Sequence, residues 1–148
     1  MDPPEVGCRS LTIPAMLIPS AMFANAAGNE GGFLTLQGGG WEWITLRTFP
    51  GTVHGVVAGL LELDPGHQPT LIEASVTGPD NATQVFGAQM IEDPSDGNIG
   101  CRMPLVVPLT FVARQPGLYV VTITDAEGPL TSLELDVRQF VPPPPPSE

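Results

Sequence analysis

Short runs of alternating apolar and polar residues dominate the chain, and turn residues separate them. In residues 70–77, Ile72, Ala74 and Val76 alternate with mainly polar neighbours, and residues 129–137 alternate in the same way. Such alternation predicts strands with one buried face, because successive side chains of a strand point to opposite sides. The predicted strands are 11–23, 33–37, 41–48, 52–63, 70–77, 83–91, 103–113, 117–124 and 129–137.

Strands of this number and spacing predict an all-β fold. We expect a single antiparallel β-sandwich, immunoglobulin-like or C2-like, of about eight or nine short strands, with a small barrel as the alternative. The 18 prolines and 17 glycines suit many turns and few helices. The 148 residues suit one domain. The predicted organisation is a flexible leader at 1–14, the sandwich at 15–140 and a proline-rich tail at 141–148.

Individual strands differ in how they should sit in a sheet. The continuous apolar run 52–63 predicts a central strand covered on both sides. Prolines lie in 11–23 and in 103–113, and each proline lacks the N–H group that a central strand needs. These two strands are therefore expected at sheet edges or at bulges.

A glycine triplet, Gly38 to Gly40, separates runs 33–37 and 41–48 and predicts a hairpin at the centre of the domain. Trp41 and Trp43 follow the triplet and, being two residues apart on a strand, are expected on the same face. We expect them to pack in the core, because buried aromatic rings supply large apolar area. A carbohydrate-binding platform is the alternative.

Charge excludes several classes of partner. The chain has 16 acidic residues, five arginines and no lysine, for a net charge of −11. Such a surface repels phosphate backbones and anionic membranes, so no nucleic-acid partner and no membrane insertion are expected. The apolar stretch 11–27 contains prolines, and the segment before it sets Asp2 and Glu5 against Arg9 and so lacks a net positive charge, which argues against a signal peptide. We expect a cytoplasmic location, or a virion if the chain is phage-encoded, with Cys8 and Cys101 reduced.

No enzyme motif emerges from the sequence. His54 and His67 have no spacing typical of a metal pair, and no serine lies in a G-x-S-x-G turn. A non-enzymatic protein without a cofactor is therefore expected. The acidic loop at 92–100 offers Asp93 and Asp96 as weak calcium ligands, and the alternative is a solvated turn.

The tail is a candidate interaction segment. It is expected to adopt an extended polyproline II conformation, which suits docking into an aromatic groove. The same composition also suits a stiff spacer. Its candidate residues are Pro142, Pro143, Pro144, Pro145 and Pro146.

Two local patterns resemble a known family. Gly38 to Trp41 forms a Gly-Gly-Gly-Trp segment, and 116–119 read Pro-Gly-Leu-Tyr before the final strand pair. In these features the chain resembles short bacterial and phage-encoded β-sandwich proteins of unknown function, over roughly 15–138. The resemblance implies a sandwich fold and brings no catalytic residues.

These observations together predict a structural or protein-interaction module. We expect it to assemble with itself or with a partner through an edge strand or a loop end. One specific form is a phage virion component that decorates a capsid or associates with a tail. The alternative is a module that binds calcium or carbohydrate through the 92–98 loop or the tryptophans.

Overall fold

The structure is a computed structural model that describes residues 16–64, 69–91 and 101–146, with Cys101 described by its backbone alone. In these ranges the chain forms strands and no helix. The strands are β1 (Met16–Glu30), β2 (Phe33–Trp41), β3 (Trp43–Leu46), β4 (Gly51–Leu63), β5 (Thr70–Thr77), β6 (Thr83–Ile91), β7 (Cys101–Ala113), β8 (Gly117–Asp125) and β9 (Gly128–Gln139).

Two sheets form the domain. One has the order β2-β1-β4-β7 and the other β3-β9-β8-β5-β6. With β4, β5, β7, β8 and β9 taken as strands B, C, E, F and G, the B–E and C–F–G pairings of an immunoglobulin fold are present. The predicted β-sandwich is confirmed. One pair departs from the antiparallel prediction, because β3 runs parallel to β9.

The core lies between the sheets and follows the predicted alternation. Ile72, Ala74 and Val76 of β5 are buried, as are Leu135 and Val137 of β9. As expected for a central strand, β4 lies between β1 and β7. The expected cover on both faces is wrong, because Thr52 and His54 on the outer face are exposed. No buried polar or charged residue occurs among the described residues, so apolar burial supplies the cohesion of the core.

Strand β8 begins with an arrangement typical of the F strand in immunoglobulin-like folds. Tyr119 is buried, and its hydroxyl donates to the Gln115 carbonyl at 2.7 Å. Its ring packs on Phe111 with the centroids 5.3 Å apart. This tyrosine corner ties the turn between β7 and β8 to the core.

The predicted hairpin at the glycine triplet is wrong. The turn lies earlier, at Gly31 and Gly32, where both residues have positive φ and the side chain of Asn29 accepts from the Gly32 N–H at 3.0 Å. The triplet instead lies within β2, and Gly38 and Gly40 take positive φ there. The chain then leaves this sheet after Trp41 and enters the other sheet as β3.

The prediction that each proline-bearing strand lies at a sheet edge or contains a bulge holds for β7 through its edge position and for β1 through a bulge. Strand β7 ends its sheet, whereas β1 lies between β2 and β4. Near Pro19 the register between β1 and β4 shifts, as expected for a bulge. Only the second half of β1 pairs with β2, from Phe23 onward. Residues 16–22 therefore lack a strand neighbour on that side among the described residues.

Candidate functional site

The sandwich has two sides along which the outer strands of one sheet run next to those of the other. The two sides differ in whether the outward backbone N–H and C=O groups of these strands have hydrogen-bond partners. On one side β6 faces β7, and the side-chain amide of Gln84 spans the gap. Its Nε2 donates to the Val112 carbonyl at 2.9 Å, and its Oε1 accepts from the Val112 N–H at 3.3 Å. One side chain thereby replaces a strand neighbour at this point of the β7 edge.

Prolines block much of the remaining β7 edge. The Gln84 contacts show that the backbone groups of Val112 face outward, away from β4. The register between β4 and β7 is unbroken, so every second residue shares this orientation. Pro104 and Pro108 fall on these outward positions and offer no donor. This edge is therefore poorly suited to accepting another strand.

The opposite side of the sandwich is open. Strand β3 covers only the last part of β9, from Asp136 to Gln139, and the Asp136 N–H donates to the Glu42 carbonyl at 3.0 Å. N-terminal to Asp136, the β9 stretch 128–135 has β8 as its only strand neighbour within the described part of the chain. The unpaired stretch of β1, residues 16–22, borders the same side.

An open cleft of about 660 Å³ lies between these two stretches. Its walls combine apolar side chains with two carboxylates, Glu42 and Glu134. Neither carboxylate has an ion-pair partner among the described residues. The lining residues are Ala21, Met22, Phe23, Gly40, Trp41, Glu42, Leu118, Ser132, Leu133 and Glu134. The cleft thus joins exposed backbone, apolar surface and negative charge.

A hairpin arm, defined here as residues 25–40, is a second exposed feature. It comprises the end of β1, the turn and most of β2, and none of its residues is buried. Phe33 is 77% exposed and Leu36 39% exposed. The arm contains a single charged residue, Glu30. It is a weakly charged, partly apolar ribbon on a strongly acidic protein.

The two tryptophans separate into different environments. Trp41 is half-buried against Phe23, with the centroids 5.7 Å apart, and its Nε1 donates to the Gly38 carbonyl at 2.9 Å. The expectation of core packing holds for this residue. Trp43 is 51% exposed in the other sheet, and Arg138 lies 4.7 Å above its ring. The core prediction is wrong for Trp43, and the two rings form no common platform.

The tail follows the last anchored residue of the sandwich. The Phe140 N–H donates to the Leu46 carbonyl at 2.8 Å, and Arg47 lies 4.7 Å above the Phe140 ring. Residues 141–146 are exposed and have no regular secondary structure. Pro142 to Pro146 are thus accessible, and a docking role for them stays a prediction.

No metal-binding cluster is found in the part of the chain that the structure describes. No group of three or more His, Cys, Asp or Glu side chains is placed to hold a metal ion there. His54 is exposed on β4. Asp93 and Asp96, like Cys8, His67 and the leader, lie outside the described residues, so the calcium hypothesis stays a prediction. Within 16–64, 69–91 and 101–146, no helix has the length and apolar character to cross a membrane.

The sequence analysis missed the residues that shape the two sides of the sandwich. Gln84 and Val112 are 28 positions apart, and nothing local to either residue marks their pairing. The open stretch of β9 also depends on where β3 begins, because Trp43 at the start of β3 pairs with Asp136. The sequence did contain one signal, the spacing of Pro104 and Pro108. These residues are four positions apart, so on a regular strand their backbone groups face the same edge of β7.

Comparisons with known proteins give structural similarity at low identity. No family model and no curated protein matches the chain. An immunoglobulin-like protein from Pseudomonas aeruginosa is 14% identical, with a TM-score of 0.39 over 83% of this chain and 96% of that chain. The alkylpurine DNA glycosylase AlkC from Pseudomonas fluorescens is 17% identical, with a TM-score of 0.44 over 66% of this chain. The β-glucosidase from Listeria innocua is 11% identical, with a TM-score of 0.49 over 68% of this chain.

The chain spans 28% of the glycosylase and 15% of the glucosidase. At these scores the similarities give no ground for transferring an activity to this chain.

Proposed function

We propose that the protein is a non-enzymatic interaction or structural module whose principal docking element is the hairpin arm. The observation that supports this most directly is the exposure of the arm, in which none of the residues 25–40 is buried. An isolated two-stranded ribbon is at best marginally stable in water. A partner that covers the arm would supply the packing that the sandwich does not.

The chemistry of the arm supports the same role. Depletion of charge and exposure of aromatic residues are typical of the centre of a protein interface. The arm combines both features, because Glu30 is its one charged residue and Phe33 is largely exposed. Electrostatic repulsion between two acidic surfaces is also weakest where charge is absent. The arm is thus the part of this surface best suited to contact a protein.

A finer form of the proposal is a virion component of a phage, either a capsid decoration or a tail-associated protein. This form rests on the sequence resemblance to bacterial and phage-encoded sandwich proteins. An acidic sandwich without lysine would suit a particle surface, because its negative charge would repel the packaged nucleic acid. In a bacterial setting the same module would act in the cytoplasm.

The test replaces apolar side chains of the arm and measures association. Phe33→Ser with Leu36→Ser removes apolar contacts, and Val85→Ser with Met90→Ser is the matched control on β6, where both side chains are also exposed. Sedimentation velocity across a concentration series reports self-association, and quantitative capture from a lysate of the source organism reports partners. We expect the arm variant to lose about 5- to 30-fold in affinity, as for one or two interface anchors.

The control should keep the affinity of the unmodified chain. Equal losses in both variants would show that exposed apolar area in general, and not the arm, drives association. A dilute monomer that recovers no stoichiometric partner would overturn the proposed function. A chain truncated after Val141 measures separately whether Pro142 to Pro146 contribute.

A further inference from the structure

The stretch of β9 that β3 leaves uncovered has backbone groups ready to accept another strand. The Asp136 N–H points toward β3, where it donates to the Glu42 carbonyl. The register between β8 and β9 is unbroken from 131 to 137, so every second residue shares this orientation. The N–H and C=O groups of Ser132 and Glu134 therefore face the cleft, and no described strand pairs with them there.

We propose that this stretch, the open lane of β9 at residues 131–135, binds an extended and basic segment of a partner protein by strand addition. Five residues of strand span about 16 Å. The bound segment would continue the position of β3 along the same edge. The cleft of about 660 Å³ beside the lane lies within the range of pockets that hold specific ligands.

The side chains around the lane specify the pattern of the bound segment. Side chains of an added strand would point alternately toward the gap between the sheets and toward the outer face of β9. The inner positions would meet Phe23, Trp41 and Leu133, which favours apolar residues. The outer positions would meet Leu118, which is 48% exposed, and the Glu134 carboxylate.

A lysine or arginine fits the outer positions because its aliphatic stem can lie on an apolar side chain while its charge meets a carboxylate. Glu42 at the end of the lane adds a second negative group. Opposite charges directly across two strands stabilise the pairing of the strands. The expected ligand is therefore a segment that alternates apolar and basic residues.

Charge also discriminates between occupants. A second copy of this chain would carry a net charge of −11 toward a cleft whose charged groups are both carboxylates. Long-range repulsion disfavours that pairing and steers a cationic partner toward the cleft. The inference rests on the proposed function only in treating the chain as an interaction module. The arm and the lane are different surfaces, so either can fail alone.

The test uses the full chain and a synthetic, end-blocked peptide of about seven residues that alternates lysine and valine. Amide hydrogen exchange is followed at single residues, and affinity is measured by calorimetric titration at low and high salt. Three matched peptides serve as controls: one with glutamate in place of lysine, one with the same composition in two blocks, and one with alternate amides N-methylated. The N-methylated peptide keeps the charge and removes donors to the lane.

In the free chain we expect the Ser132 and Glu134 amides to exchange faster than those of Leu133 and Leu135, which face β8. The alternating basic peptide should bind saturably and slow exchange at Ser132 and Glu134. Glu134→Gln should weaken binding about two- to fivefold at low salt. Glu127→Gln, in the exposed turn between β8 and β9, should leave the affinity unchanged. Ser132→Pro removes one outward donor and should weaken binding about tenfold or more.

Several results would overturn the proposal. Amides of Ser132 and Glu134 that are already as protected as those of Leu133 in the free chain would show that the lane is filled. Protection that rises with protein concentration alone would identify a second copy as the occupant. Equal affinity for the N-methylated peptide would show that charge attraction alone, and not strand pairing, accounts for the binding. Absence of binding by the alternating basic peptide would reject the site. If the peptide does not bind the lane but the Phe33→Ser, Leu36→Ser variant still loses affinity for its partner, the proposed function stands and the proposal for the lane fails.

Discussion

Replacing Gln84 with alanine removes a side chain that bridges the edges of β6 and β7. Two hydrogen bonds to the Val112 backbone are lost, of 2.9 and 3.3 Å. A hydrogen bond in a folded protein contributes about 0.5–1.5 kcal/mol net. The second bond is long and both are accessible to water, so we expect a total loss of about 1–2 kcal/mol in the free energy of unfolding.

Urea denaturation at several protein concentrations measures this loss. The midpoint should fall while the m-value is unchanged, because the surface exposed on unfolding stays nearly the same. Gln89→Ala is the control, since Gln89 lies on the same strand and makes no side-chain hydrogen bond that the structure describes. The Val112 amide should also exchange faster in the Gln84 variant. A difference between the two variants below about 0.3 kcal/mol would refute the bridging role.

Three further substitutions test other features. Tyr119→Phe removes only the hydroxyl that donates to the Gln115 carbonyl, and we expect a loss of about 1–2 kcal/mol by chemical denaturation. In Gly55→Ala the new methyl would lie 2.6 Å from the Trp41 ring, which should cost about 1–3 kcal/mol and shift tryptophan fluorescence. Unchanged fluorescence would contradict that contact. Pro108→Thr adds an outward donor to the exposed edge of β7, and sedimentation velocity should show more self-association than in the parent chain.

The strands themselves were accessible to sequence reasoning because burial imposes a period of two. Strands β5 and β6 have the predicted bounds, and the ends of β4, β8 and β9 differ from the predicted ends by at most two residues. Each of these strands lies in a sheet with one face on the core, so its pattern records its environment. The inward set of β5, Ile72, Ala74 and Val76, follows directly from this pattern.

The path of the chain through the glycine triplet could not be read in the same way. A triplet of glycines between two apolar runs has the same local pattern in a hairpin and in an irregular strand. The structure uses Gly38 and Gly40 for positive φ within β2, and the sheet change follows after Trp41. That choice depends on the pairing of β3 with β9, nearly a hundred residues away in the chain. Local propensity contains no information about such a partner.

The two sides of the sandwich differ in how well their strand edges are protected against pairing with another strand. On the β7 side, two prolines and the Gln84 amide leave few outward donors for another strand. On the β9 side, the four-residue strand β3 begins only opposite Asp136, beyond the lane, and leaves the lane open beside an acidic cleft. A fold selected only for solubility would protect both sides. Of these two edges, that of β7 is protected and the lane of β9 is not, so the lane is where we propose strand addition, with the charge of Glu134 favouring a basic segment.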